Sequence, residues 1–160
     1  MVKEAANKET PPLISHSIEI SIKNLFYKII HKVGEISKSL ADKIKKHLKT
    51  DVEDMGIMLE KNRLLHSRPQ RKENYNQALR VEEMKQVAHV LDEAKDVYID
   101  TEKENIIFAF EDIQDNTKIN KIVVEPNYKV KKFGITNAIL TFSKVLKEGF
   151  SKENYKEVTR

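Results

Sequence analysis

The stretch Val97-Tyr98-Ile99-Asp100-Thr101-Glu102-Lys103-Glu104-Asn105-Ile106-Ile107-Phe108-Ala109-Phe110 decides the fold. Two runs rich in β-branched and aromatic residues flank a polar spacer, Asp100 to Glu104, that is turn-like and too short for a crossover helix. The runs are therefore expected to be neighbouring antiparallel strands. Ile122-Val123-Val124 and Ala138-Ile139-Leu140-Thr141-Phe142-Ser143 have the same texture, and Gln114-Asp115-Asn116-Thr117 is a second short turn. The first three strands predict an antiparallel meander, and the longer link from Pro126 to Asn137 predicts a bent hairpin loop before the fourth.

Upstream of Val97 the apolar spacing is helical. Ile22, Leu25, Phe26, Ile29, Ile30 and Val33 recur at three- and four-residue steps, with Gly34 placed to end the helix. Ile36, Leu40, Ile44 and Leu48 repeat every fourth residue, with Lys43, Lys45, Lys46 and Lys49 on or beside the other face. A third stripe, Val52, Met55, Met58 or Leu59, and Leu65, starts at Asp51 as N-cap. A fourth, Val81, Met84, Val87, Ala88 and Leu91, carries Glu82 and Glu83 in its first turn, where carboxylates favour the helix dipole. Helices first and strands after predict an α+β domain, N-terminal helices packed on a four-stranded antiparallel sheet. Residues 1–17 read as a flexible arm, 18–50 as a helical lead-in and 51–160 as the α+β domain.

Composition narrows the chemistry. The 160 residues contain no cysteine, which removes disulfides, thiolate nucleophiles and cysteine-ligated metals. The glycines (Gly34, Gly56, Gly134, Gly149) are too scattered to form a phosphate-binding loop. No apolar run approaches the roughly 20 residues that cross a bilayer, and the first residues are polar, so a soluble protein without membrane attachment is expected. The formal charge is +4, from 29 Lys+Arg against 25 Asp+Glu, but it is unevenly spread. Residues 61–80 carry six bases and one acid, 81–117 three bases and eleven acids, and 118–160 ten bases and four acids. Two basic segments of like sign are placed to converge on one anionic ligand; the plain alternative is a solvated, lysine-rich surface.

His66 stands where a helix gives way to the Ser67-Arg68-Pro69-Gln70-Arg71-Lys72 loop. An imidazole titrates near neutrality and exchanges protons, while guanidiniums grip phosphate in a bidentate fork. That combination points to phosphodiester chemistry; the alternative is an exposed helix-end histidine beside solvated arginines. On the last strand, alternation sets Thr141 and Ser143 on one face, where hydroxyls near Lys121 or Lys144 would orient phosphate oxygens. Asn127 is placed to read a base edge or ribose, or else simply to start a turn. Metal-binding spacings are absent: His16, His31, His47 and His89 are far apart, and no HExxH or EF-hand pattern occurs.

Three stretches carry a family likeness: Leu64-Leu65-His66-Ser67-Arg68 with Leu79 to Met84, Leu91 to Asp100, and Lys121 to Lys131 with Thr136 to Thr141. Their order and texture resemble the phage-associated nucleases of the barnase, EndoU, colicin and RelE-like group, over about 100 residues, from roughly Leu59 to Val145 with some helical lead-in. The resemblance implies a small helix-plus-four-strand nuclease domain at 51–160 that cuts RNA without metal or cofactor. The ribose 2′-hydroxyl attacks the adjacent phosphate, a base takes its proton, cations hold the developing charge and an acid protonates the leaving oxygen. Carried onto this chain, the catalytic set is His66, Arg68, Arg71 and Thr141. Lys72, Lys121, Asn127, Tyr128, Asn137, Ser143 and Lys144 would bind substrate. Many such enzymes use two histidines; with no second one in the strand region, Lys121, Tyr128 or Lys144 takes the other role.

The function expected is therefore a metal-independent endoribonuclease, a bacterial or phage toxin acting in the cytoplasm on RNA and met by a cognate antitoxin or immunity protein. The competing expectation is a non-catalytic module that binds nucleic acid or protein, a phage structural or accessory protein or an antitoxin-like partner.

Overall fold

The computed structural model describes residues 30–48, 50–60, 63, 79–130 and 133–158. Seven strands form one mixed sheet. In chain order the elements are β1 (Ile30–Glu35), α1 (Lys38–Leu48), β2 (Gly56–Glu60), α2 (Val81–Lys85), α3 (Val87–Glu93), β3 (Val97–Asp100), β4 (Asn105–Glu111), β5 (Lys118–Val130), β6 (Gly134–Leu146), α4 (Lys147–Lys152) and β7 (Tyr155–Glu157). The spatial order is β1-β2-β6-β5-β4-β3-β7, and all neighbours are antiparallel except β2 and β6, which run parallel.

The expected architecture, N-terminal helices on a four-stranded antiparallel sheet, is thus corrected. The four strands read from composition are all present and the meander β3-β4-β5 pairs as expected. Three further strands enlarge the sheet, and the helices lie between strands. Ile30–Glu35, assigned by periodicity to a helix ending at Gly34, is the edge strand β1. Gly34 is there for close approach: an added Cβ would lie 2.9 Å from the Leu91 Cβ of α3. Gly56–Glu60, assigned to the helix beginning at Asp51, is β2, held on one side by β1 and on the other by β6. Short apolar runs fit either period, and here the available sheet partners decide. The third addition, β7, is a polar Tyr-Lys-Glu segment whose pairing with β3 no composition rule detects.

α1 matches its sequence reading. The Ser37 hydroxyl accepts the Leu40 amide at 3.1 Å, capping the helix, and Leu40, Ala41, Ile44 and Leu48 are buried. Lys45, Lys46 and His47 fill the last turn, where positive charge suits the dipole. The fourth predicted helix is two, α2 and α3, meeting at Gln86. Val81, expected on its buried stripe, is 60 % exposed, whereas Glu83 is fully buried.

One face of the sheet, bearing Ile57, Ile99, Ile106, Phe108, Ile122 and Ile139, joins Leu40 and Ile44 of α1 and Val87 and Leu91 of α3 in the main core. The span Pro126 to Asn137, expected as loop, is mostly strand: β5 and β6 form a hairpin of two 13-residue strands whose register shifts at Val123/Val124 and Glu125/Tyr128. Such shifts let Pro126 sit within a strand and set Asn127 at φ +54°. No helix among the described residues is long and apolar enough to cross a membrane.

Gly34→Ala is expected to destabilise the fold by about 1–3 kcal/mol, because the rigid Leu91 Cβ has nowhere to yield. Gly149→Ala, with open space around it, should be neutral or slightly stabilising. Urea unfolding of the two variants checks the contrast; equal midpoints would remove the close-packing reason for Gly34.

Candidate functional site

Period-two alternation along β6 sends side chains to two different environments. Ser143 lies directly opposite Lys121 of β5, and Thr141 opposite Val123, so Lys121, Thr141 and Ser143 share the face turned away from α1 and α3. All three are half-buried. The Thr141 hydroxyl also donates to the Phe142 carbonyl at 3.3 Å. Lys121 Nζ reaches in the direction of β7 and donates to the Tyr155 hydroxyl at 3.3 Å, lying 5.8 Å from that ring's centroid. Phe150 of α4 packs edge-on to Tyr98 (5.1 Å) and to Tyr155 (5.3 Å), which fixes the ring that meets Lys121. Burial, reinforced by the Glu153 and Asp100 carboxylates, holds the Tyr155 phenol above its ordinary pKa; Lys103 opposes this.

The two asparagines of the sequence reading do different work. Asn137 is fully buried; its Nδ2 donates to the Asp54 carbonyl and, at 2.9 Å, to the Gly56 carbonyl, while its Oδ1 accepts the Asn127 amide at 3.3 Å. Asn127 Nδ2 donates to the Asp51 carbonyl at 2.7 Å and its Oδ1 accepts the Glu53 amide at 3.0 Å. Together they staple residues 51–56 to the β5–β6 hairpin, so their polar groups are spent within the protein. Tyr128 lines a separate cavity of about 340 Å³ with Lys103, Glu104, Glu125 and Lys129. His66, Arg68, Arg71 and Lys72 lie outside the described residues.

Lys144, expected beside Thr141 and Ser143, faces the other way. One residue past Ser143, it enters the core face and is buried. Its ammonium donates to Glu83 Oε1 of α2 at 2.7 Å and to Asp112 Oδ2. Glu83 Oε1 also accepts the Arg80 amide at 2.9 Å, and Glu83 Oε2 takes the Asn120 amide group. Asp112 Oδ1 closes a turn by accepting the Gln114 and Asp115 amides at 2.8 and 3.0 Å. Burial works against both carboxylates ionising. The Lys144 ammonium and these amides outweigh it, holding Glu83 below its ordinary range and Asp112 down to about 2. Two anions shared by one buried cation, with Arg80 Nη2 4.0 Å from Asp112, make a near-neutral knot that pins α2 to the ends of β4, β5 and β6.

Sequence reading missed Glu83 as a buried group. The signal was present: Glu83, Val87 and Leu91 form an every-fourth-residue stripe, and a carboxylate on that stripe must find a cation. Among the described residues no cluster of three or more His, Asp or Glu side chains is placed to hold a metal ion. No protein family, characterised protein or solved structure matches this chain.

Lys144→Ala strands two buried carboxylates and is expected to cost about 3–5 kcal/mol in urea unfolding. In the intact protein Glu83 and Asp112 titrate lower folded than unfolded, so between about pH 4 and pH 2 the unfolded chain binds more protons and stability falls with acidification. Without Lys144, burial raises both carboxyls and that acid loss should shrink or reverse. A parallel pH profile of unfolding free energy for the two proteins reads this directly.

Proposed function

We propose that this chain is a metal-independent endoribonuclease of toxin type, acting in the cytoplasm and restrained by a cognate antitoxin or immunity protein. The observation that carries the reading is the shared sheet face of Lys121, Thr141 and Ser143, lying beside the exit of β2. Parallel pairing of Met58 with Ala138 makes β2 run alongside β6 in the direction of Thr141, and β2 ends at Glu60. From there the chain continues into the segment that carries His66, Arg68, Arg71 and Lys72. Six residues limit the Glu60–His66 separation to about 20 Å. The proposal joins that cluster of imidazole and guanidinium groups in the sequence to the hydroxyl-bearing face.

In this site the Ser143 hydroxyl and the Lys121 ammonium orient phosphate oxygens, and the Thr141 hydroxyl joins them by turning from the Phe142 carbonyl to the phosphate. Arg68, Arg71 and Lys72 hold the charge that builds as the 2′-oxygen attacks phosphorus, and His66 takes the 2′-hydroxyl proton. Asn127, Asn137 and Lys144 have no part in it, since their polar groups serve internal bonds.

Incubated with single-stranded RNA in excess EDTA, the full chain is expected to leave 2′,3′-cyclic phosphate and 5′-hydroxyl ends. His66→Ala should lower the rate roughly 10²–10⁴-fold with an unchanged circular dichroism spectrum. RNA that is retarded in a salt-dependent way but never cut would falsify the enzyme and leave a binding module.

A further inference from the structure

The nuclease reading above leaves one role unfilled, the acid that protonates the departing 5′-oxygen, and the family resemblance implies Lys121, Tyr128 or Lys144 in place of a second histidine. Lys144 is locked between Glu83 and Asp112 on the opposite face. Tyr128 lines the separate cavity. Lys121 is on the correct face, but it is bonded to Tyr155. The direction of that bond is forced by chemistry. An ammonium has three donors and no acceptor, so Lys121 donates and the phenolic oxygen accepts. The Tyr155 proton is left over, and among the described residues no acceptor takes it.

We propose that Tyr155 is the general acid of the cleavage and that Lys121 is its charge-stabilising partner, an assignment that rests on the ribonuclease reading. As the 2′-oxygen bonds to phosphorus, the bond from phosphorus to the 5′-oxygen breaks and its electron pair stays on that oxygen. The Tyr155 hydroxyl delivers its proton there, giving a 5′-hydroxyl. The resulting phenolate is held by the Lys121 ammonium already bonded to it. The 2′-hydroxyl proton leaves separately to the base, and exchange with water restores both groups.

Three features of the site support this. Lys121 is paired with Ser143, so the couple stands on the same face as the hydroxyls that orient phosphate. Phe150, wedged edge-on between Tyr98 and Tyr155, holds the phenol in place. The Glu153 and Asp100 carboxylates and partial burial keep Tyr155 protonated in the resting enzyme, the state an acid must start from.

The test uses the full chain carrying Tyr155→Phe, which removes the hydroxyl and keeps the ring that Phe150 packs against. Two RNAs are compared: one natural, and one with sulfur in place of the scissile 5′-oxygen, whose thiolate departs without a proton. On natural RNA the variant should lose roughly 10²-fold or more, the usual worth of a general acid. On the sulfur substrate it should return to within a few-fold of wild type, while His66→Ala stays impaired on both. Lys121→Met should lose activity on natural RNA and recover only in part on the sulfur substrate, since its ammonium also orients the phosphate. A Tyr155→Phe enzyme that cuts natural RNA at the wild-type rate, or that loses equally on both substrates, overturns the assignment while wild-type cleavage keeps the ribonuclease reading intact. A wild type that cuts neither RNA overturns both.

Discussion

The pairing of β5 with β6 governs this molecule more than any other contact. Thirteen-residue strands in antiparallel register fix, residue by residue, which side chains face the helices and which face away. A strand has no intermediate setting, so Ser143 and Lys144, adjacent in sequence, belong to different chemical worlds. Ser143 lies opposite Lys121 on the face that carries the proposed chemistry. Lys144 is buried with two carboxylates and serves to bind α2 to the sheet.

That division explains why basic residues in the last two strands cannot be counted as one electrostatic patch. Lys144 is neutralised by Glu83 and Asp112, and Lys147 is paired with Glu111 at 2.6 Å. The positive charge of residues 118–160 is thereby partly absorbed by the acidic stretch 81–117, because the fold lays one against the other. Among the described residues, the proposed chemistry on that face draws on the Lys121 ammonium, the Thr141 and Ser143 hydroxyls and the Tyr155 phenol. A site of this kind works by orientation more than by bulk attraction.

How the parallel β2–β6 pair is stabilised matters for the same reason. Asn137, on β6, reaches the Asp54 and Gly56 carbonyls at the entry to β2, and Asn127 bonds the backbone of Asp51 and Glu53. These two side chains supply hydrogen bonds where the backbone ladder between β2 and β6 is short. The base-edge reading of Asn127 and the substrate-binding role that the resemblance implies for Asn137 rest on residue type alone. Asn137 is instead drawn inward by backbone carbonyls that lie away from water, while the two backbone bonds of Asn127 are exposed.

The sequence by itself determined the meander strands, because Ile106 to Phe110 and Ile122 to Val124 are too rich in β-branched and aromatic residues, between turns too short, for any other local structure. It determined α1 equally well, since Leu40, Ile44 and Leu48 recur every fourth residue while Asp42 and Lys46, which a strand would turn to the same face, are charged. It also separated Thr141 and Ser143 from Phe142 by simple alternation. Tertiary structure alone decided β1, β2 and β7, whose residues fit either period or none and become strands because open sheet edges offered them backbone partners. It alone decided that Glu83 is buried, that Lys144 turns from ligand candidate to internal counter-ion, and that Tyr155, thirty-four residues from Lys121, becomes its neighbour. Local periodicity reports which face of an element is apolar; what stands opposite a polar group depends on contacts between residues far apart in the chain, which no local pattern encodes.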